Sequence, residues 1–252
     1  MRVFRSRSQR FRHWRYTRQR QLLLWLTLSF FALIGTTVAV ATVARESWIF
    51  MVLAGMLVPF ALALAASRGT MRSLEADLRE GRAVTEALKG DLNESFVLLN
   101  GLAIRGASDD VDHVLAGPTG VFVIESRGHS GYVRCKGDVW SRRPSRSAGR
   151  QRQVLLRSPA RAALKAASAV TETLEDNHLE VPVTPLVVFT NRDLALSVTD
   201  TLVPVLRLAE LPSVVKAPRP CLTVAQVDLI ASVLTSPRSR RALSSMPWSW
   251  HA

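Results

Sequence analysis

Acidic residues are nearly missing from the first part of this sequence. Residues 1–72 contain 11 arginines and a single acid, Glu46, whereas the rest of the chain has 22 basic and 19 acidic residues. Of the net charge of +13, the first part therefore carries +10 and the rest +3. A high net charge can indicate nucleic-acid binding. Because most of the excess belongs to about a quarter of this chain, composition alone does not support that function.

Cysteines are few and several catalytic motifs are missing. Cys135 and Cys221 form no CxxC pair, and the histidines have no metal-ligand spacing. This pattern suits a reducing compartment, in which both cysteines are simply small residues. The sequence also has no P-loop, no GxGxxG opening a helix and no GxSxG, which are the usual signatures of nucleotide-binding and serine-hydrolase sites.

Two long runs lack ionisable residues, at 21–44 and 47–67. As a helix, the part of the first run that follows Gln21 would extend roughly 34 Å at about 1.5 Å per residue, enough for a hydrocarbon core of about 30 Å. Only Arg45 and Glu46 separate the runs, so the pattern predicts a transmembrane hairpin of two helices. A signal peptide cleaved near Ala39–Ala41 is the alternative, but the apolar run is longer than such peptides usually have.

The flanks of these runs predict an orientation. Residues 1–20 carry eight arginines and no acid, arginines also follow the second run, and the connecting turn is net neutral. By the positive-inside rule we expect a multi-pass protein of the inner or plasma membrane with both termini in the cytoplasm. The basic tail, 1–20, would then lie on anionic lipid headgroups, with nucleic acid as the other possible partner.

Beyond the predicted hairpin (21–67), residues 70–252 indicate one cytosolic α/β domain with a mixed sheet. A helix is predicted first, from its apolar periodicity, and strands follow it. The predicted elements are a helix at 70–90 and strands at 96–104, 111–116, 121–127 and 132–140. Glycine-containing turns at 117–120 and 128–131 predict that the second and third strands, and the third and fourth, pair as hairpins.

A polar loop at 141–157 is rich in arginine and has no acid. It could follow a phosphate backbone or lie against anionic lipid. Its candidate contact residues are Arg142, Arg143, Arg146, Arg150 and Arg152. Ser158 is predicted to cap the next helix, which Pro159 opens. The remaining predicted elements are strands at 183–190 and 202–206 and helices near 208–215 and 224–234.

Asp112, Glu125 and Arg127 form the strongest candidate site. Side chains alternate along a strand, so Glu125 and Arg127 share a face, and the predicted hairpin brings Asp112 close to them. Two carboxylates and a cation at one end of a sheet suit a Mg²⁺-dependent phosphodiester hydrolase, because carboxylates bind a hard cation that polarises phosphate and water. The spacing alone favours a surface salt bridge over a metal site.

Three segments resemble a known family. They are VLLNGL (97–102), VDHV (111–114) and GPTGVFVIE (117–125). They closely resemble the NERD (nuclease-related) domain, of the restriction-endonuclease-like group, and the similarity extends over residues 78–190. The resemblance implies a mixed sheet flanked by helices. Bacterial NERD proteins often carry this domain beside transmembrane helices, which matches the predicted hairpin.

The resemblance also implies a metal-dependent nuclease core. Asp112 and Glu125 would bind Mg²⁺ or Mn²⁺, and Arg127 would contact the scissile phosphate. Three positions depart from the family pattern: Arg127 replaces a lysine, Arg82 a glutamate and Ala162 a glutamine. Arginine stays protonated and holds its charge in a flat fork, so it cannot exchange a proton as lysine does.

Two functions are therefore open. Because losing the lysine and the glutamine would normally remove activity, the sequence favours a catalytically degenerate domain, a nucleic-acid-binding or scaffolding module at the cytoplasmic membrane face. The alternative is a membrane-tethered, Mg²⁺-dependent nuclease that hydrolyses phosphodiester bonds.

Overall fold

The computed structural model describes residues 1–5, 17–18, 21, 23–32, 34–36, 38–39, 60, 75, 78–107, 109–144 and 153–236. The chain divides into two compact units. One consists of Met1–Arg10 together with Arg79–Ala252, and the other of Phe11–Leu78. The first unit contains the predicted α/β domain.

In the unit Phe11–Leu78, the described residues between 21 and 39 are helical. Among all the residues that the structure describes, none belongs to a helix of sufficient length and apolarity to cross a bilayer. The predicted multi-pass membrane location, with both termini cytoplasmic, is therefore wrong. Most of the second predicted span, 47–67, lies outside the described residues.

The α/β unit contains two sheets and several helices. The strands are β1 (Arg2–Arg5), β2 (Val97–Leu102), β3 (Val111–Gly117), β4 (Gly120–Arg127), β5 (Tyr132–Lys136), β6 (Val139–Arg143), β7 (Val154–Leu156), β8 (Val183–Phe189), β9 (Ala195–Thr199) and β10 (Val205–Arg207). The helices are α1 (78–91), α2 (Pro159–Glu175), α3 (Leu211–Lys216) and α4 (Val224–Thr235), with a 3₁₀ turn at Leu208–Glu210. The predicted mixed α/β fold is confirmed.

The first sheet is six-stranded, in the order β1-β2-β3-β4-β8-β10. Strands β2, β3 and β4 pair antiparallel, as the predicted hairpin at 117–120 requires, while β8 joins β4 in parallel. Helices α2 and α4 pack on one face, and α1 and α3 on the other. This sheet is therefore the middle layer of three and is buried on both faces, which explains its long apolar strands.

The strand β1 departs from the prediction of a basic tail over residues 1–20. Residues 2–5 pair in parallel with β2 at the edge of the six-stranded sheet. The Arg2 guanidinium donates to the Glu94 carbonyl at 3.2 Å and forms an ion pair with Asp228 at 2.5 Å. A four-residue strand between arginines has too little apolar periodicity to be recognised from sequence. Its partner strand, 95 residues further along the chain, determines its conformation.

The second sheet is four-stranded, in the order β7-β6-β5-β9. The prediction of one strand over 132–140 is wrong, because Gly137 turns the chain with φ of 62° and divides the segment into β5 and β6. The predicted pairing of the third and fourth strands is also wrong. Parallel strand β8 occupies the edge of β4, and β5 pairs with β6 and β9 in the other sheet.

Candidate functional site

Asp112 and Glu125 lie at the same end of the β3–β4 hairpin. The last paired residues there are His113 and Ile124, and continuing the register by one residue places Asp112 opposite Glu125. Directly opposed side chains share a face of the sheet. The predicted proximity of the two carboxylates is therefore a direct consequence of the hairpin register.

Arg127 lies between the two carboxylates. One of its terminal nitrogens, Nη2, contacts Glu125 Oε1, and the other, Nη1, lies 3.6 Å from Asp112 Oδ2. The Nη1 group also donates to the Ser126 carbonyl at 2.7 Å. Asp112 Oδ2 in turn accepts from the Ser126 backbone N–H at 3.2 Å and hydroxyl at 3.3 Å. The flat guanidinium fork thus holds both acids and a carbonyl at once.

The backbone of Arg127 is held by the neighbouring strand. Thr190, just after β8, donates its N–H to the Arg127 carbonyl at 3.0 Å. Because β8 runs parallel to β4, its carboxyl end meets the same edge of the sheet as Arg127. The position of the guanidinium therefore depends on tertiary pairing as well as on the hairpin.

The environment of the Glu125 carboxyl disfavours its charged form. Burial raises its pKa from 4.5 to about 7, and the negative charge of Asp112 contributes in the same direction, while Arg127 lowers it. Only 11% of the Glu125 side chain is exposed, against 32% for Arg127. A carboxyl that titrates near neutrality beside another carboxylate is characteristic of functional sites.

These residues do not fit a divalent metal ion in the arrangement observed. The guanidinium of Arg127 already pairs with both carboxylates that would bind the ion, and its positive charge would repel a divalent cation. Within the described ranges, no group of three or more aspartate, glutamate, histidine or cysteine side chains is placed to hold a metal. The cation at this site is supplied by the protein itself.

Two other positions depart from the family pattern. Arg82 on α1 is exposed, and Ala162 on α2 is half-buried. Glu80, which sequence reasoning did not select, reaches the end of β4, since its carboxylate packs against Gly128 and leaves no room there for a Cβ. Glu80 directly precedes Gly81 in the sequence, and this adjacency was the available signal.

A buried polar chain on the opposite face was also not selected. Asn100 Oδ1 lies 2.7 Å from His113 Nδ1, and Asn100 Nδ2 donates to Thr85 Oγ1 at 3.3 Å. This chain connects β2, β3 and helix α1 behind the carboxylates. An asparagine within an otherwise apolar strand was its sequence signal. These contacts link β3, the strand that carries Asp112, to β2 and α1.

The predicted basic contact residues are only partly described. Arg142 donates to the Ser130 carbonyl at 2.8 Å and to its hydroxyl at 2.9 Å, so it stabilises the turn after β4. Arg143 is exposed on β6. The remaining three, Arg146, Arg150 and Arg152, lie outside the described residues.

The fold and the site together define a three-layer α/β domain with a carboxylate–arginine cluster at the end of its central hairpin. Residues 76–190 match the family model described as NERD, nuclease-related domain. The match contains the whole cluster and confirms the resemblance noted in the sequence for this part of the chain. No curated protein and no solved structure matches the chain significantly. The match indicates a nuclease-related function.

Proposed function

We propose that this chain is a catalytically degenerate nuclease-related domain that binds nucleic acid without hydrolysing it. The supporting observation is the position of Arg127, which bridges Asp112 and Glu125. In a metal-dependent nuclease these carboxylates would hold the ion that polarises phosphate and water. Here the guanidinium pairs with them instead, and arginine, unlike lysine, does not serve as a proton donor or acceptor in catalysis.

Nucleic-acid binding is supported by the domain match and by arginine chemistry. A guanidinium has five N–H donors, more than its contacts with Glu125 and the Ser126 carbonyl use. Arg127 keeps 32% of its side chain exposed at the end of the sheet, so it can donate to an approaching phosphate while Nη2 contacts Glu125. The same cluster would then bind a phosphodiester group and lack the means to activate a water.

The alternative, a Mg²⁺- or Mn²⁺-dependent nuclease, has one observation in its favour. Asp112 and Glu125 share a face, and their mutual repulsion helps to raise the Glu125 pKa. A cation would relieve that repulsion, provided that Arg127 moved away. The two functions therefore make opposite predictions about cleavage.

The test compares cleavage and binding by the full chain. Plasmid and single-stranded DNA are incubated with Mg²⁺ or Mn²⁺, and binding of a labelled oligonucleotide is followed by fluorescence anisotropy. We expect binding without cleavage. Cleavage that Asp112→Asn abolishes, and that the exposed-site control Asp193→Asn retains, would establish the nuclease instead. Cleavage seen only with Arg127→Lys would show that the guanidinium alone blocks the reaction.

A further inference from the structure

The four-stranded sheet has one face open to solvent. Along β5 the buried residues Val133 and Cys135 alternate with exposed Tyr132, Arg134 and Lys136. The buried set packs with Trp140 and with the start of α2. The exposed set therefore forms a row on the outer face, with successive side chains roughly 7 Å apart.

Neighbouring strands extend this row into a surface. The sheet register places exposed Arg143 opposite Tyr132, and Val139 opposite Lys136. Val139 is 65% exposed, and Leu155 on β7 is 75% exposed. The strands of this sheet contain no acidic residue. The outer face thus combines three cations with an aromatic ring and exposed apolar side chains. We call it the outer sheet face.

The combination of cations with an exposed aromatic ring favours one kind of polyanion over others. Cations alone would suit any phosphate-bearing surface, but a partly exposed tyrosine between arginines offers a stacking surface for a base. Bases in a duplex are stacked inside the helix, whereas bases in a single strand are free to stack on aromatic side chains of a sheet. The carboxylate–arginine cluster belongs to the other sheet.

We infer that the outer sheet face binds single-stranded nucleic acid, with Arg134, Lys136 and Arg143 on the phosphates and Tyr132 stacked on a base. The inference rests on the proposed nucleic-acid binding but concerns a different surface from Arg127. In this inference the single-stranded nucleic acid binds the four-stranded sheet. The carboxylate–arginine cluster at the end of the β3–β4 hairpin contacts only a phosphate.

The experiment uses the full chain and fluorescein-labelled oligo(dT) and oligo(rU), titrated at several salt concentrations. The triple variant Arg134→Gln, Lys136→Gln, Arg143→Gln should reduce the slope of log K against log salt by about 2, since each phosphate contact contributes about 0.7 for single strands. Tyr132→Leu should weaken binding about tenfold and leave the slope unchanged. The two oligonucleotides show whether DNA or RNA is preferred.

The matched control is the triple variant Lys165→Gln, Arg192→Gln, Arg219→Gln, which removes three exposed cations elsewhere. Circular dichroism and urea unfolding verify that each variant is folded. Single-strand binding that survives both sheet variants would overturn the inference, and the proposed function would stand if Arg127→Gln weakened that binding. A protein that binds phosphatidylglycerol vesicles but no oligonucleotide, with vesicle binding unchanged by Tyr132→Leu, would overturn both the inference and the proposed function. That result would indicate a lipid-binding surface.

Discussion

The two sheets of the α/β unit differ in how many of their faces are covered. The six-stranded sheet lies between helices, and all six residues of β2 are buried. The four-stranded sheet packs on one side only, so β5 alternates between exposed and buried residues. A sheet covered on both faces can present polar chemistry only at its strand ends, which is where Asp112, Glu125 and Arg127 lie. A sheet with an open face can present it along the whole strand.

The largest effect is expected when a buried leucine of the six-stranded sheet is compared with an exposed leucine of the four-stranded sheet. Leu115 on β3 is fully buried, while Leu155 on β7 is 75% exposed. We expect Leu115→Ala to lower the free energy of unfolding by about 2–5 kcal/mol, because it leaves a cavity in a packed core. Leu155→Ala should change it by less than about 0.5 kcal/mol. Urea unfolding of both variants measures the difference, and equal losses would contradict the contrast between the sheets.

The next effect concerns pH at the strand end. The folded protein raises the Glu125 pKa from 4.5 to about 7, so it holds that proton more tightly than the unfolded chain does. The contribution of Glu125 to stability is therefore full below pH 4.5 and is lost as pH rises through 7, by on the order of 3 kcal/mol. Urea unfolding between pH 5 and pH 8 measures the loss.

Glu125→Gln should flatten this part of the pH profile, whereas the exposed-site control Glu180→Gln should leave it unchanged. A profile of unchanged slope in Glu125→Gln would show that another group is responsible.

A smaller effect is expected for the cation that bridges the carboxylates. Arg127→Ala leaves Glu125 and Asp112 without their shared partner, and we expect a loss of about 1–3 kcal/mol, less than for a fully buried pair. Because Arg127 lowers the Glu125 pKa, the loss should be greater at pH 8 than at pH 5. Arg143→Ala, on the outer sheet face, is the matched control and should cost little. If the loss of unfolding free energy caused by Arg127→Ala did not depend on pH, that result would argue against an ion-pair bridge between Arg127 and the two carboxylates.

The smallest expected effect is at the connection between the sheets. Ser158 caps α2 by accepting from the Arg161 N–H at 3.1 Å, and its hydroxyl also donates to Asp138 in the β5–β6 turn. That hydrogen bond is the main cause of the lowered Asp138 pKa. Ser158→Ala should cost about 1 kcal/mol and move the Asp138 pKa up, as an NMR titration would detect. Ser168→Ala, exposed on the same helix, should do neither.

Much of the six-stranded sheet could be predicted because local pattern and tertiary environment agree there. The apolar runs gave β2, β3, β4 and β8 to within a few residues, and the Ser158 cap is found as predicted. The prediction was wrong where strand pairing depends on segments that are distant in sequence. The parallel strand β8 takes the edge of β4 that the sequence assigned to the following segment, and β1 forms only because β2 is available.

The candidate site shows the same division. Alternation along β4 and the turn before it were sufficient to bring Asp112, Glu125 and Arg127 together. Whether a cation from solution or the guanidinium would neutralise the acids could not be predicted, because that depends on where the Arg127 fork points. The orientation follows from the Ser126 carbonyl and from Thr190, which holds the Arg127 backbone.

The sequence by itself determined the hairpin, its register and therefore the identity of the residues at its end, since side-chain alternation and a glycine turn are local properties. Only the tertiary structure decided that the following segment leaves for a second sheet, that this sheet keeps an open basic face, and that Arg127 bridges the carboxylates. Those outcomes depend on which strands and helices compete for the same edge or face. That competition is settled by packing between residues far apart in the chain.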